Sequence, residues 1–107
     1  MKPSPDILFK SLSDPTRRGI YEQLVQEGEQ TVRALTNRAC VSQPAVSKHL
    51  ALLKQAGLVR GRAEGRQVHY RAEPKALAPM IDWISLYGAF WRERFDRLAT
   101  LLERIDK

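Results

Sequence analysis

One cysteine, Cys40, is all the thiol chemistry this 107-residue chain carries. That excludes an intrachain disulfide framework and a thiolate cage for zinc. No apolar run approaches the roughly 18 residues of a membrane span. The opening MKPSPDILFK lacks the apolar stretch and small-residue cleavage site of a secretory leader. No membrane partner is expected, and a reducing cytoplasm is the expected compartment. Enzyme signatures are missing too: there is no phosphate loop, no Ser/His/Asp spacing on a plausible scaffold and no carboxylate cluster in an apolar context. No enzyme activity, metal or cofactor is expected. Acidic residues are also scarce. Twelve Asp and Glu against 18 Lys and Arg leave a formal charge of +6, which favours a polyanionic partner such as nucleic acid.

What is present suits one domain covering 1–107, since 43% hydrophobic residues can fill a single core. Glycine and proline divide the chain into three parts. Residues 1–57 alternate short helical patterns with turns. A helix over 5–12 carries Ile7, Leu8 and Leu12. Asp14 and Pro15 then start a second helix, as cap and first residue, which runs to about Gln26 before Gly28. Ile20, Leu24 and Val25 should face inward, and Gly19 inside that helix suggests close packing.

Thr31 caps a brief helix with Val32 and Leu35, Cys40 and Val41 turn the chain, and Ser42 opens a helix to Ala56 that Gly57 ends. Residues 31–57 therefore read as a helix-turn-helix. Two strands around Glu64-Gly65 over 58–72 read as a β-hairpin. Set directly behind a helix-turn-helix, that hairpin is a wing, and it carries Arg60, Arg62, Arg66 and Arg71. The predicted class is mainly α (α+β): a winged helix-turn-helix with a two-stranded wing and a long C-terminal helix.

That last helix, about 75–105, repeats Met80, Ile84, Tyr87, Trp91, Phe95, Leu98, Leu102 and Ile105 at steps of three and four, and Trp83, Phe90 and Leu101 widen the stripe. So small a domain has too little core to cover it, and the same helix of a second chain is the simplest cover. The expected homodimer interface comprises Trp83, Tyr87, Phe90, Trp91, Phe95, Leu98 and Leu102, with Leu8 from the first helix. The stripe could also line an effector pocket. Glu93 and Arg97 suit a solvated opposite face.

With Val46, Leu50 and Leu53 inward, Gln43, Pro44, Ser47, Lys48, Ala51 and Lys54 point outward. The first of these would enter a major groove. Gln43 can pair with an adenine edge, Ser47 with either base type, and Pro44 can touch a thymine methyl; Lys48 can reach guanine or phosphate. Each also has an ordinary role as a helix-starting or solvated residue. Thr31 is either a cap or part of a phosphate site. Arg62 and Arg66 flank the wing tip, in reach of phosphate or the minor groove. His49 is either a phosphate donor or a half-buried packing residue, whereas His69 and Tyr70 support the wing. Cys40, in the turn, reads as a small buried hydrophobe, with redox sensing as the alternative.

The run Leu8 to Arg18 (LFKSLSDPTRR) resembles the N-terminal signature of the ArsR/SmtB family of bacterial winged-helix repressors. Val41 to Leu50 (VSQPAVSKHL), then Leu53 to Val59 (LKQAGLV), with Glu64-Gly65-Arg66 and Tyr70, continue the likeness over essentially the whole chain. The resemblance implies a homodimer that binds pseudo-palindromic double-stranded operators and represses transcription until an effector, of a chemistry the sequence does not reveal, releases it. Metal-sensing members carry a Glu-Leu-Cys-Val-Cys-Asp-Leu-like box where this chain has Glu29 to Leu35, with Thr31 and Arg33 at the thiolate positions. Zinc sensors have Asp and His ligands in the last helix, where this chain has Asp82 and no histidine. The resemblance is therefore to the metal-independent branch. An architectural or protein-interaction winged helix is the competing class; it would lack base-reading groups such as Gln43 and Ser47.

Overall fold

The computed structural model describes residues 4–106; Met1–Pro3 and Lys107, which the single-domain reading includes, lie outside the described residues. Four helices come first: α1 (Pro5–Ser13), α2 (Pro15–Glu27), α3 (Val32–Arg38) and α4 (Gln43–Gln55). A strand β1 (Gln30–Thr31) sits between α2 and α3, β2 (Val59–Glu64) and β3 (Gln67–Ala72) follow α4, and α5 (Ala78–Ile105) ends the chain.

Each early helix starts on a side-chain oxygen that takes one of the free amides of its first turn. Ser4 caps Asp6, Asp14 accepts from the Arg17 amide at 2.8 Å, Thr31 from Ala34 at 3.1 Å and Ser42 from Ala45 at 3.3 Å. The Arg17 amide holds the Asp14 carboxyl below its ordinary value, against partial desolvation and with smaller pulls from His49 and the Arg17 guanidinium. Pro5, Pro15 and Pro44 occupy first-turn positions, where a missing N–H costs nothing.

The expected two-stranded wing is present as the β2–β3 hairpin, and β1 adds a third strand to its sheet, in the order β1-β3-β2 and antiparallel throughout. Two residues of β1 pair Gln30 with Tyr70 and Thr31 with His69. So short a strand has no periodicity of its own and exists because β3 offers it an edge. The β2–β3 hairpin closes on Gly65-Arg66, since Glu64 pairs with Gln67. Gly65 is at φ +61 while Arg66 is not left-handed, the sign pattern of a type II′ turn with glycine first. Gly61 lies under the Tyr70 ring, where a Cβ would come to 3.0 Å of the ring.

The core lies wholly between α1 and the start of β2. Leu35, Val46, Leu50, Leu53 and Leu58 are sealed from water, joined by Leu8, Ile20, Tyr21, Leu24 and Val59. Leu8 is therefore a core residue of this subunit and not, as expected, part of a dimer interface. Two further expectations fail on α2. Val25 is 57% exposed, and a Cβ on Gly19 would meet nothing within 4 Å. Both point away from the buried face of α2 that carries Ile20, Tyr21 and Leu24.

α5 differs from all of this. It runs for 28 residues, against an expected start at 75, because 74–77 form turns. None of its residues is buried. Met80 rests against the core and Phe9 of α1 meets Trp83 edge to face at 5.3 Å. Beyond Tyr87 the helix extends free of the globule, so the radius of gyration is 18.8 Å, against about 13 Å for a compact 107-residue domain. The chain exposes 8223 Å², whereas a compact monomer of 12.2 kDa exposes about 6,100 Å². No helix among the described residues is long and apolar enough to cross a membrane.

Candidate nucleic-acid interface

The chain turns from α3 into α4 through Ala39–Ser42, so the first turns of the two helices and the hairpin tip meet around one open cleft. Its walls are Thr31, Arg33, Thr36 and Asn37 from the β1–α3 segment, Gln43 and Ser47 from α4, and Arg66, Gln67 and Val68 from the hairpin. Gln43 and Ser47 lie one turn apart on the exposed side of α4, while Val46 and Leu50 anchor the opposite side in the core. The polar leading edge of α4 is thereby held at a fixed angle by its own buried face.

Charge is distributed unevenly around this cleft. No carboxylate lines it, and neither Arg33 nor Arg66 has a hydrogen-bond or ion-pair partner among the described residues. Several arginines away from it are engaged by carboxylates, although Arg71, Arg92 and Arg104 have no acidic partner among the described residues. Arg38 pairs with Glu27, and Arg60 with Glu73 at 3.1 Å. Arg62, expected at the wing tip as a free cation, is held by Glu29 at 2.8 Å and Glu64 at 3.0 Å. Those bonds, Glu29 first, raise its already high pKa. Its partner Glu29 stands 33 residues away, beyond what local sequence spacing can signal.

The remaining expected contacts divide. Pro44, Lys48 and Lys54 are exposed on α4 but do not line the cleft. Thr31 caps α3 and also lines the cleft. His49 corrects its placement among DNA contacts, because it turns toward the α1–α2 corner. Its Nδ1 lies 3.4 Å from Arg17 Nη1 and its Nε2 4.0 Å from Asp14. Arg17 can only donate, so Nδ1 is the acceptor in any bond between them. Arg17 meanwhile donates to the Ser11 carbonyl at 2.5 Å. His49 thus fastens the back of α4 to α1 and α2. Cys40 is exposed, contrary to the expected buried hydrophobe, because the bend at 39–41 leaves it outside the seal formed by Leu35 and Val46.

Sequence reading gives no contact role to Arg33, Asn37 or Gln67. The signal for the first two is their i,i+4 spacing on α3, which puts both on the side away from Leu35. Among the described residues no three His, Cys, Asp or Glu side chains are arranged to hold a metal ion.

Residues 12–62 match the family model described as a helix-turn-helix domain. The chain is 37% identical over 100 residues to the HTH-type transcriptional regulator Rv2034 of Mycobacterium tuberculosis, covering 94% of this chain and 90% of that protein. It is 47% identical over 70 residues to the arsenical resistance operon repressor of Escherichia coli, covering 65% of this chain and 60% of the relative. It spans less than two thirds of the arsenic-resistance relatives it matches, 56% and 60% of their lengths. A solved ArsR-like transcriptional regulator from Rhodococcus superposes with a TM-score of 0.69 at 32% identity, over 90% of each chain. On this identity and superposition along nearly the full length, this chain belongs to the ArsR/SmtB family of winged-helix transcriptional regulators.

Proposed function

We propose that the chain is a homodimeric repressor that reads a pseudo-palindromic operator through the α3–α4–hairpin cleft. The observation that carries the reading is a cleft without carboxylates, lined by arginines and base-reading side chains. Arg33 and Arg66, the arginines lining the cleft with Gln43 and Ser47, lack acidic partners, while Arg38, Arg60 and Arg62 are neutralised elsewhere. Arg33 and Arg66 hold backbone phosphates; Gln43 and Ser47 reach base edges in the major groove, with Asn37 and Gln67 flanking them.

The bare stripe on α5 supports the dimer. The chain exposes roughly 2,100 Å² more than a compact monomer would, a scale that suits an obligate homodimer interface. Trp83, Tyr87, Phe90, Trp91, Phe95, Leu98 and Leu102, all 44–63% exposed, are its contacts, with Phe9 of α1 alongside. Two cleft-bearing subunits related by a two-fold axis then read half-sites about one helical turn apart. Such a protein works in the bacterial cytoplasm, where the chromosome is. The arsenic named for the relatives does not carry over, since Thr31 and Arg33 stand where thiolates would bind it; this repressor responds to something other than a soft metal.

Selection of bound duplexes from a random library tests the reading. An inverted repeat should emerge. Gln43→Ala should then relax preference at particular bases, and Arg66→Ala should weaken all sequences alike while lowering the salt slope by about one. Equal retention of random and selected duplexes in physiological salt would overturn it.

A further inference from the structure

The sheet presents one polar face on which Thr31, His69 and Arg62 lie side by side across β1, β3 and β2. Arg62 donates from Nη2 and Nε to Glu29 Oε1 at 2.8 and 3.1 Å, and from Nη1 to Glu64 Oε2 at 3.0 Å. His69 sits between the same two carboxylates, with Nδ1 4.0 Å from Glu29 Oε1 and Nε2 3.5 Å from Glu64 Oε2. Its side chain is only 24% exposed.

Two carboxylates therefore share one guanidinium. With a neutral imidazole the group carries one net negative charge; with an imidazolium it carries none. No other ionisable side chain among the described residues is paired with Glu29 or Glu64. Gln30 and Thr31 of β1 do not ionise. On β2, Arg60 is committed to Glu73. Arg71, two residues along β3, has no acidic partner among the described residues and adds a positive charge of fixed sign that does not change with pH. On α3, Arg38 pairs with Glu27 and Arg33 lines the cleft.

Glu64 is two residues from Arg66, so a net charge there lies about 7 Å along the strand from the tip. That is inside the Debye length of about 8–10 Å at ordinary salt. Histidine is the side chain whose charge changes between about pH 5 and 8.

We propose that the wing makes DNA binding proton-linked: protonated His69 joins Arg62 in neutralising Glu29 and Glu64, and the operator is held more tightly as pH falls. The sign follows from the phosphates. They favour the state with the extra positive charge, so binding takes up a proton at His69 and affinity rises toward acid pH. The inference rests on the DNA-binding reading above.

The test is the Kd of the full chain for a selected duplex between about pH 5.5 and 8 at constant ionic strength. Wild type should bind roughly 1.5- to 2.5-fold tighter at the acid end, the worth of one unit charge about 8 Å from a phosphate in water, with and without salt screening. His69→Gln should flatten the response, and His49→Gln, which alters the other histidine, should leave it intact. Glu64→Gln changes an exposed side chain; it should bind more tightly than wild type at pH 8 and respond less to acid, and it decides the matter should His69→Gln fail to fold. A flat wild-type profile overturns the inference, as does a response that survives in His69→Gln, one that is undiminished in Glu64→Gln, or one that vanishes in His49→Gln. Failure to hold any duplex at any pH would instead sink the DNA-binding reading, and this inference with it.

Discussion

The globule of α1 to β3 and the helix α5 end in opposite states, although α5 is the richer of the two in apolar residues. In the globule, leucines and valines at helical spacing find partners within the chain: Leu35, Leu50 and Leu53 are fully closed off. In α5 the spacing is as regular and the side chains are larger, yet none is buried. Its rings lean on one another along the helix, Trp83 on Tyr87 at 4.9 Å and Trp91 on Phe95 at 6.2 Å, and Arg94 covers one face of Phe90 at 3.8 Å. Periodicity tells which face of a helix is apolar. It does not tell whether the cover comes from the same chain.

The contrast can be broken from either side. Charge placed on the α5 stripe, as in Trp91→Glu, should remove two large buried aromatics from each dimer, about 3–6 kcal/mol of association at about 1.5–3 kcal/mol each. Operator binding should collapse while the circular dichroism spectrum of the globule persists. A Trp91→Glu protein that remained dimeric by light scattering would show that α5 is not the interface. Truncation on the other side of the comparison acts on the fold. Leu50→Ala opens a cavity in the sealed core and should lower unfolding free energy by about 2–5 kcal/mol, read from urea denaturation. The same change at Leu98 should leave monomer stability nearly untouched and weaken only association.

A smaller effect sharpens the comparison inside the globule, between free and engaged arginines. Arg33→Ala should reduce the slope of log K against log salt by about one. Arg62→Ala should change that slope much less, since its charge is already matched by Glu29 and Glu64. Equal slopes for the two variants would mean that the pairing does not survive on DNA. Smallest of all, Gly19→Ala should stabilise α2 by about 0.5–1 kcal/mol, because nothing lies within reach of the added methyl. Destabilisation in thermal melts would show that another subunit packs on that part of α2.

How much of this the sequence makes legible depends on the range of the interaction. Caps are local, so Asp14, Thr31 and Ser42, each three residues before the amide they serve, could be read directly, as could the Glu93–Arg97 pair, found at 2.6 Å. The hairpin was legible from Glu64-Gly65 and its flanking strands. What was not legible is tertiary. Leu8 and Val25 have similar local patterns, but only Leu8 meets the core. His49 turns toward Arg17, 32 residues away, and Arg62 toward Glu29, 33 away. No spacing rule connects such partners. In the candidate cleft, Gln43 and Ser47 follow from the phase of α4, whereas Arg33 and Gln67 join them only because α3 and the hairpin are folded against it.

The dimer through α5 is where fold and function meet, and the mass of the purified chain in solution tests it most directly. Sedimentation equilibrium at micromolar concentration should give about 24 kDa, twice the chain mass of 12.2 kDa, and Trp91→Glu should return it to the single-chain value. A wild-type mass of 12.2 kDa under those conditions would contradict the account.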